Sequence, residues 1–352
     1  MSGDPLAEVA GDPGRARALP RECYVDPGFF ERELEKVLRP GWHAVAHRSQ
    51  LPSPGDFHSL ELFGVPILVV RDEAGALRAY SRVCLHRAMT IVEGEGNAKR
   101  FSCPYHRWTY DLDGKLCAAP CMETVPGFDR DAHRLPELRL EEWQGFAFVS
   151  LDPDARPLGP QLAPLDAVLE GSGFGDFVVA ATLDYESPWN WKVLVDNFIE
   201  SYHHMGPHVE TLHPTNPAEG TYGMDLDAPV AMIENPAVEG SQPFWAGVVF
   251  PTFLFACFRG ELPTGAWYEM RIDAHDRFAL RIHALLPKEM AENQGIVDFV
   301  VKATRQVHAE DIPMCDGVQK GLQSPLWEPG RLATQERALW RFHRLLAEHM
   351  RD

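Results

Sequence analysis

Cys84-Leu85-His86 and Cys103-Pro104-Tyr105-His106 are the stretches of sequence that decide the fold, and sixteen residues separate them. Each short loop offers one thiolate and one imidazole. Two such loops held tip to tip present two sulfur and two nitrogen ligands. This set suits a [2Fe–2S] cluster in which the cysteines hold one iron and the histidines hold the other. The spacing therefore predicts an iron–sulfur centre held by Cys84, His86, Cys103 and His106.

A Cys₂His₂ zinc site is the competing interpretation, because it uses the same ligand types. Zinc sites usually pair cysteine with cysteine and histidine with histidine, whereas each loop here mixes the two. Gly94 and Gly96 lie in the intervening segment, and Pro104 stiffens the second loop. The sequence favours the iron–sulfur centre and leaves zinc as the alternative.

The composition of the chain limits its partners. With 352 residues and a hydrophobic share of 45%, the chain is long enough for two domains with separate cores. A net charge of −18 argues against a nucleic-acid partner, because phosphates would be repelled. The longest apolar stretch, residues 247–258, is too short to span a bilayer, and residues 1–13 lack the apolar core of a secretory signal. Seven cysteines in such a chain fit thiols and metal ligands, so we expect a cytoplasmic protein without a membrane partner.

Turn signals and hydrophobic periodicity divide the first half of the chain. Residues 1–20 are typical of a loose arm, and a helix is predicted to begin at the N-cap Asp26 and to end at Pro40. Residues 41–152 carry strand patterns typical of an all-β domain. The proline-rich residues 152–164 indicate a linker. The predicted strands are Phe57–Leu62, Val65–Val70, Trp108–Tyr110 and Phe146–Leu151.

The second half of the chain mixes helices with strands. Helices are predicted at about 189–205, 295–322 and 332–350, and strands fill the region of about 244–287. The chain is therefore expected to be of the α+β class. It should be organised as an N-terminal arm and helix (1–40), an all-β domain (41–152) and a catalytic domain (165–352).

A second group of metal-ligating residues lies in the helix predicted at 189–205. Asp196, Glu200 and His203 share one face, opposite an apolar stripe. A solvated polar face would explain the same pattern. Gly206-Pro207 should break the helix and allow His208 to approach His203. Two histidines and a carboxylate that leave open positions suit non-haem Fe(II).

Both groups of residues resemble the motifs of one family. The two Cys-His loops, with Arg107-Trp108 after the second, resemble the Rieske motif of ring-hydroxylating and related oxygenases. Residues 196–208 resemble the mononuclear-iron motif of the catalytic (alpha) subunits of Rieske non-haem iron oxygenases. The resemblance runs from about Cys23 to the C-terminus. It implies an all-β Rieske domain followed by a catalytic domain of helix-grip type, in which an antiparallel sheet wraps a long helix.

The resemblance also implies roles for individual residues. His203 and His208 correspond to ligands of the mononuclear iron, and Asp196 and Glu200 belong to the catalytic apparatus. Glu200 occupies the position of an acid that, in this family, bridges the mononuclear site and the Rieske histidine of a neighbouring subunit. His204 and His213 are expected to be structural or to support the ligands.

The third iron ligand must be a carboxylate from a distant segment. Residues 310–322 resemble the family's late acidic segment, in which an aspartate is followed five positions later by another acid. This match selects Asp311 as the ligand and Asp316 as the trailing acid, which is usually glutamate in the family. Asp316 therefore remains an alternative ligand, and Glu310 is a weaker one.

An oxygenase component of a multicomponent enzyme is the function that the resemblance implies. The enzyme would use O₂ to hydroxylate or oxidatively demethylate a small organic substrate. The electrons would come from NAD(P)H and would be delivered by a ferredoxin or a flavin-dependent reductase. The family also implies a homotrimer. Residues 315–324 are most similar to subunits that attack quaternary amines, and aromatic compounds are the other substrate class. An iron–sulfur electron carrier without its own oxygenase activity is the competing function.

Two further patterns bear on the substrate and the electron donor. A cluster of aromatic residues is predicted to form either a cation-binding wall or simply strand core: Phe244, Trp245, Phe250, Phe253, Phe255 and Phe258. Between Arg82 and Arg107, basic residues exceed acidic ones by three (five against two). This excess predicts a docking patch for an acidic electron donor, with scattered surface charge as the alternative.

Overall fold

Antiparallel strands form most of the regular structure of this chain. The computed structural model describes Leu6, Val9 and residues 12–351. Backbone contacts divide the chain into a smaller unit, residues 43–156, and a larger unit that combines the segment through Trp42 with the residues from Pro157 onward. Each unit is described by itself below.

The smaller unit is built from ten short strands in three antiparallel sheets. Their orders are β1-β10-β9, β4-β3-β2-β5 and β6-β7-β8. The strands are β1 (His43–His47), β2 (Asp56–Leu62), β3 (Val65–Arg71), β4 (Leu77–Ser81), β5 (Glu95–Asn97), β6 (Phe101–Ser102), β7 (Thr109–Tyr110), β8 (Leu116–Ala118), β9 (Arg139–Trp143) and β10 (Phe146–Ser150). The four strands predicted from the sequence are confirmed, with ends shifted by a residue at most.

The core of the smaller unit lies directly beneath the two Cys-His loops. Leu68 and Val70 of β3 pack there with Trp108, and the side chains of Cys84 and Cys103 are part of the same buried cluster. Both loops therefore start from rigid, apolar positions, and this anchors the thiols while the loop tips extend outward.

The larger unit begins with two short helices, and the sequence predicted the start of the second but not the first. They are α1 (Glu22–Val25) and α2 (Pro27–Glu33), and a π-helical turn, Leu34–Leu38, follows. Asp26 caps α2 by accepting a hydrogen bond from the backbone N–H of Gly28, as expected for an N-cap.

The prediction of a loose arm over residues 1–20 is wrong for its second half. The backbone N–H of Ala18 donates to the carbonyl of Gly330, and that of Leu332 donates to the carbonyl of Ala16. Residues 12–20 are therefore tied to a segment near the C-terminus. Apart from Leu6 and Val9, the first eleven positions of the predicted arm lie outside the described residues.

A seven-stranded antiparallel sheet dominates the larger unit, in the order β11-β17-β16-β15-β14-β13-β12. Its strands are β11 (Phe177–Ser187), β12 (Tyr222–Met224), β13 (Val230–Asn235), β14 (Phe244–Val249), β15 (Phe253–Phe258), β16 (Thr264–Ala274) and β17 (Arg277–Pro287). Helices of the same unit are α3 (Leu158–Leu169), α4 (Trp191–Phe198), α5 (Lys288–Ala291), α6 (Gln294–Leu322) and α7 (Arg337–Arg351). The α+β class and the antiparallel catalytic sheet are confirmed.

The long helix α6 packs its apolar side against one end of this sheet. Val297 and Val300 contact Ala284 and Leu286 of β17. Toward its other end, α6 carries the acidic segment that the sequence singled out. In the described part of the chain, no helix combines the length and apolar character that a membrane crossing requires.

Two sequence predictions in this unit need correction. The stretch read as a linker, 152–164, contains the first half of α3, because Pro160 falls in the first turn, where a missing N–H costs nothing, and the helix tolerates Pro164. The helix predicted at 189–205 ends at Phe198 and is followed by an irregular turn and a 3₁₀ turn, Tyr202–Met205. The backbone therefore leaves the α-helix before His203, and not at Gly206-Pro207.

Candidate metal centres

The two Cys-His loops of the smaller unit share one backbone design. In the first loop, the N–H of Ala88 donates to the carbonyl of Cys84, and the N–H of Cys84 donates to the carbonyl of Met89. In the second loop, the N–H of Arg107 donates to the carbonyl of Cys103, and the N–H of Cys103 donates to the carbonyl of Trp108. Ala88 and Arg107 both adopt a positive φ, 57° and 59°, which non-glycine residues rarely do. The matched strain holds both loops in the same tight shape.

These loops bring together the four residues predicted to hold the cluster. Cys84 and Cys103 are buried side by side, whereas His86 and His106 lie at the half-exposed tips with ring centroids 4.5 Å apart. The backbone N–H of Leu85 donates to the hydroxyl oxygen of Tyr110, which lies 3.4 Å from the Cys84 sulfur. Two thiols below and two imidazoles above match the asymmetric ligand set of a Rieske cluster.

The donor atoms of this group fit a metal cluster in two respects. The Nδ1 atom of His86 is buried and has no hydrogen-bond partner among the described residues. Burial raises the pKa of the Cys84 thiol, and the neighbouring Cys103 raises it further. Only a nearby cation would make two such thiols ionise together, and metal binding provides it.

The larger unit brings His203, His208 and Asp311 together. One ligand atom from each lies within 4.8 Å of the other two. Oδ1 of Asp311 is 3.0 Å from Nε2 of His208 and 3.6 Å from Nε2 of His203, yet neither contact has hydrogen-bond geometry. A buried carboxylate oxygen that faces two imidazole nitrogens and has no hydrogen-bond partner among the described residues is well placed to bind a metal. Two histidines and one carboxylate are the ligand set preferred by non-haem Fe(II).

A glutamate contacts the Nδ1 atom of each of the two imidazoles. Nδ1 of His203 lies 2.6 Å from a carboxylate oxygen of Glu200, and Nδ1 of His208 lies 2.7 Å from Glu310. These contacts assign the proton of each ring to Nδ1 and leave both Nε2 atoms free as ligands. Glu310 is itself fixed by the hydroxyl of Thr211, which donates to it at 2.6 Å.

Electrostatic interactions among these side chains shift the pKa values of His208 and Asp311. Burial disfavours a charged His208, but the facing Asp311 and Glu310 outweigh it and raise the pKa of His208. Burial likewise opposes ionisation of Asp311, but His208, His203 and the side chain of Asn197 lower the pKa of Asp311. Asp311 is thus held as a carboxylate. It would bring negative charge to a bound metal.

A cavity of about 410 Å³ opens beside these three residues. Its wall is mostly apolar. It includes Phe198, Leu212, Ile233, Phe244, Ala246, Ala256, Phe258, Leu262, Ala266, Tyr268, Phe299 and Val300. A concave, largely apolar chamber with a few polar groups at one end is the usual form of a small-molecule site.

Sequence comparison identifies both units. The profile of the Rieske [2Fe-2S] domain matches residues 41–129. The profile of the ring-hydroxylating alpha subunit (catalytic domain) matches residues 174–248 and 231–352, which together span half of the chain. The chain belongs to the ring-hydroxylating alpha-subunit family. Its expected identity as a Rieske oxygenase catalytic subunit, and hence as an O₂-dependent oxidoreductase, is confirmed.

Several individual proteins resemble this ring-hydroxylating alpha subunit. The carnitine monooxygenase oxygenase subunit of Escherichia coli (strain K12) is 41% identical over 195 residues, 54% of this chain and about half (52%) of that protein. The corresponding subunit of Acinetobacter pittii is 29% identical over 366 residues and 97% of both chains. A solved quaternary ammonium Rieske monooxygenase, described in terms of carnitine oxidation and inter-subunit electron transfer, is 25% identical over 99% of both chains, with a TM-score of 0.88.

Asp316 and Glu310, the two alternative candidates for the third iron ligand, do not face both histidines as Asp311 does. Asp316 is exposed on α6, and it is not among the residues grouped as possible metal ligands. Glu310 contacts His208 at Nδ1, the wrong nitrogen for a shared metal. Its role was missed because sequence reasoning weighed it only as a ligand. Its position directly before Asp311 was the one available signal.

Asp196 is not among the residues that line the cavity, although the sequence placed it in the catalytic apparatus. It accepts hydrogen bonds from the hydroxyl of Tyr24 at 2.5 Å and from Nε2 of His343 at 3.1 Å. Neither partner was singled out in the sequence, because both are far from Asp196 along the chain. Asp196 therefore ties α4 to the N-terminal segment and to α7.

His204 and His213 are not brought into the ligand group. His204 is buried, and its Nδ1 lies 3.0 Å from the carbonyl of Asn216. Burial lowers the pKa of His204 to about 3, so the ring is neutral. Of the predicted aromatic wall, Phe244 and Phe258 line the cavity, whereas Trp245, Phe250, Phe253 and Phe255 do not.

Proposed function

We propose that this chain is the oxygenase component of a multicomponent Rieske enzyme that hydroxylates or oxidatively demethylates a small quaternary amine or aromatic compound. The observation that carries the proposal is the group of His203, His208 and Asp311, which lies at the wall of a largely apolar cavity. When bound, the iron–sulfur cluster supplies single electrons, and the mononuclear Fe(II) supplies the centre at which O₂ is activated.

The protein side chains have four tasks in this reaction. Glu200 and Glu310 orient the two imidazoles and hold their protons at Nδ1. Asp311 provides the negative ligand. The apolar wall of the cavity excludes water from the substrate and places it beside the metal ligands. Cys84, His86, Cys103 and His106 would hold the cluster.

A substrate panel tests the proposed reaction. We expect NADH-dependent O₂ uptake, with a surrogate reductase, to rise with quaternary amines or aromatic compounds and to yield a hydroxylated or demethylated product. His203→Ala should abolish product while the visible spectrum of the cluster is retained. An iron–sulfur electron carrier would instead be reduced and reoxidised without any substrate-dependent product, whichever compound is added.

We further propose that electrons cross between subunits of a homotrimer, with Glu200 at the junction. The relative described in terms of inter-subunit electron transfer supports this, as does the contact of Glu200 with His203. Mixed oligomers test it. Cys84→Ser subunits, which lack the cluster, and His203→Ala subunits, which lack the mononuclear iron, are each expected to be inactive.

Co-assembly of the two variants should restore activity, because one subunit then supplies the cluster and its neighbour supplies the iron. Each variant assembled alone is the control. If co-assembled particles are as inactive as the separate variants, electrons do not cross between subunits and this part of the proposal fails.

A further inference from the structure

Three alanines form the floor of the cavity beside the metal-ligand group. Ala256 of β15 pairs with Ala246 of β14 on one side and with Ala266 of β16 on the other. Directly paired residues of antiparallel strands point to the same face of the sheet. All three line the cavity. Their methyl groups leave free the space that longer side chains would fill.

A second row of residues borders this alanine floor. Phe244 pairs with Phe258, and Phe258 pairs with Thr264. The two phenylalanine rings lie 4.7 Å apart, centroid to centroid. On the other side of the floor, Tyr268 packs its ring 4.7 Å from that of Phe198. Two aromatic pairs therefore flank the place where a substrate would lie.

Helix α6 forms a wall that runs from the metal ligands toward the surface. Phe299, Ala303, Val307 and Asp311 recur every four residues along one side of the helix, and all four line the cavity. Twelve residues of helix correspond to about 18 Å. Phe299 is 61% exposed and marks the outer end. The cavity is therefore elongated, with the metal ligands at its inner end.

The lining residues identified in the described part of the chain include no lysine or arginine. Arg259 follows Phe258, but it stacks on Trp245 at 3.8 Å and pairs with Glu234 at 2.8 Å. The charged groups of the wall are acidic side chains and the histidines near the metal ligands. A substrate carboxylate would lose its hydration here without gaining a cationic partner from the described lining residues, whereas aromatic faces attract a cation.

We propose that this subunit selects a methylated ammonium compound that carries no carboxylate, that the two aromatic pairs hold its ammonium head, and that the alanine floor accepts its apolar part. The inference rests on the proposed function, because it names the substrate of the same site. It sets this chain apart from the relatives described as carnitine monooxygenases, since carnitine carries a carboxylate.

Two probes of nearly equal shape test the selection. γ-Butyrobetaine and butyltrimethylammonium share the trimethylammonium head and chain length and differ in the terminal carboxylate. We would measure binding of each to the anaerobic, iron-loaded oligomer by calorimetry. Butyltrimethylammonium should bind tighter by on the order of tenfold or more. Equal or tighter binding of γ-butyrobetaine, or no binding of either compound, would overturn the inference.

A lysine introduced into the cavity wall provides the converse test. Thr304 lines the cavity on α6, seven residues before Asp311. Thr304→Lys should tighten γ-butyrobetaine binding by on the order of tenfold, whereas the neutral control Thr304→Met should not. If Thr304→Lys folds, shows the wild-type cluster spectrum and gains no affinity for the carboxylate, the inference is wrong.

These readouts separate the inference from the proposed function. Binding selectivity is measured without turnover, so it can hold even if the chain forms no oxygenated product. Conversely, an active oxygenase that binds γ-butyrobetaine as well as butyltrimethylammonium would keep the proposed function and refute the selectivity. Ala256→Leu should weaken binding of both probes while iron content is unchanged, because its longer side chain fills the floor. Unchanged binding by Ala256→Leu would contradict the assignment of the floor.

Discussion

His203 and His208 differ from ordinary histidines because each ring contacts a glutamate at Nδ1 while its Nε2 faces the same carboxylate. The sequence motif indicated both histidines and Asp311. It offered Glu310 only as a weaker alternative ligand and not as a partner of His208, because such a contact depends on proximity in the fold and has no characteristic sequence spacing. The sequence therefore indicated the three candidate ligands, whereas only the fold shows that Glu310 contacts one of them.

Glu310→Gln should weaken Fe(II) binding at the mononuclear site by about 10- to 100-fold, because His208 loses its charged partner. Anaerobic Fe(II) titration of the cluster-loaded protein measures the change. Glu289→Gln, at an exposed position on α5, is the control and should bind Fe(II) like the wild type. Wild-type affinity in Glu310→Gln would show that Glu310 does not position His208.

Asp311→Asn and Asp316→Asn form a matched pair, since both lie on α6 and only Asp311 faces the histidines. Asp311→Asn should lose the mononuclear iron and all product formation, while its cluster spectrum persists. Asp316→Asn should keep both. The reverse result would make Asp316 the third ligand.

At the scale of elements, α4 ends at Phe198 because a local hydrogen bond competes with the helix. The carboxylate of Glu200 accepts from the backbone N–H of His203 at 3.1 Å as well as contacting its ring. Ser201 sits between them with a non-helical φ of −120°. Helical periodicity continues through this segment in the sequence, so only the folded structure reveals the turn. The same turn brings His203 close to His208.

A buried ion pair joins α4 to α2. Nζ of Lys192 lies 2.7 and 2.8 Å from the two carboxylate oxygens of Glu33, and both side chains are fully buried. Aromatic rings of Tyr24, Phe29 and Trp191 surround the ammonium group at 4.9 to 5.6 Å. The pair fixes the position of the helix that precedes the candidate metal ligands.

Lys192→Met should lower the free energy of unfolding by about 3–5 kcal/mol, because it leaves the Glu33 carboxylate buried without a partner. Urea unfolding followed by tryptophan fluorescence measures the loss. The double variant Glu33→Leu/Lys192→Met should recover most of it. Glu348→Gln, which removes a half-exposed pair with Arg344, should cost under about 1 kcal/mol. A Lys192→Met protein as stable as the wild type would contradict a structural role for the pair.

At the scale of the whole molecule, fewer residues form the charge pattern that suggested a docking patch than the sequence indicated, although the excess of three positive charges is unchanged, because Glu93 is removed together with Arg82. Arg82 is buried and pairs with Glu93 and Glu61, so it adds no exposed charge. Lys99 and Arg100 remain exposed. The sequence gives charges in order along the chain, but only the fold shows which of them are neutralised.

Lys99→Glu/Arg100→Glu should slow reduction of the cluster by an acidic electron donor, because the complementary potential is reversed. Stopped-flow absorbance of the cluster gives the rate, and added salt should slow the wild type toward the variant. Lys288→Glu, an exposed charge of the larger unit, serves as the control. Rates that respond neither to salt nor to the reversal would exclude a docking role for the two residues.

The central claim is that one chain holds both a Rieske cluster and a separate mononuclear iron. The most direct measurement is iron and acid-labile sulfide per chain in the wild type and in His203→Ala. The wild type should contain about three irons and about two sulfides, and His203→Ala should lose one iron and keep both sulfides. A chain that carries zinc without sulfide, or a His203→Ala protein with unchanged iron content, would contradict the claim.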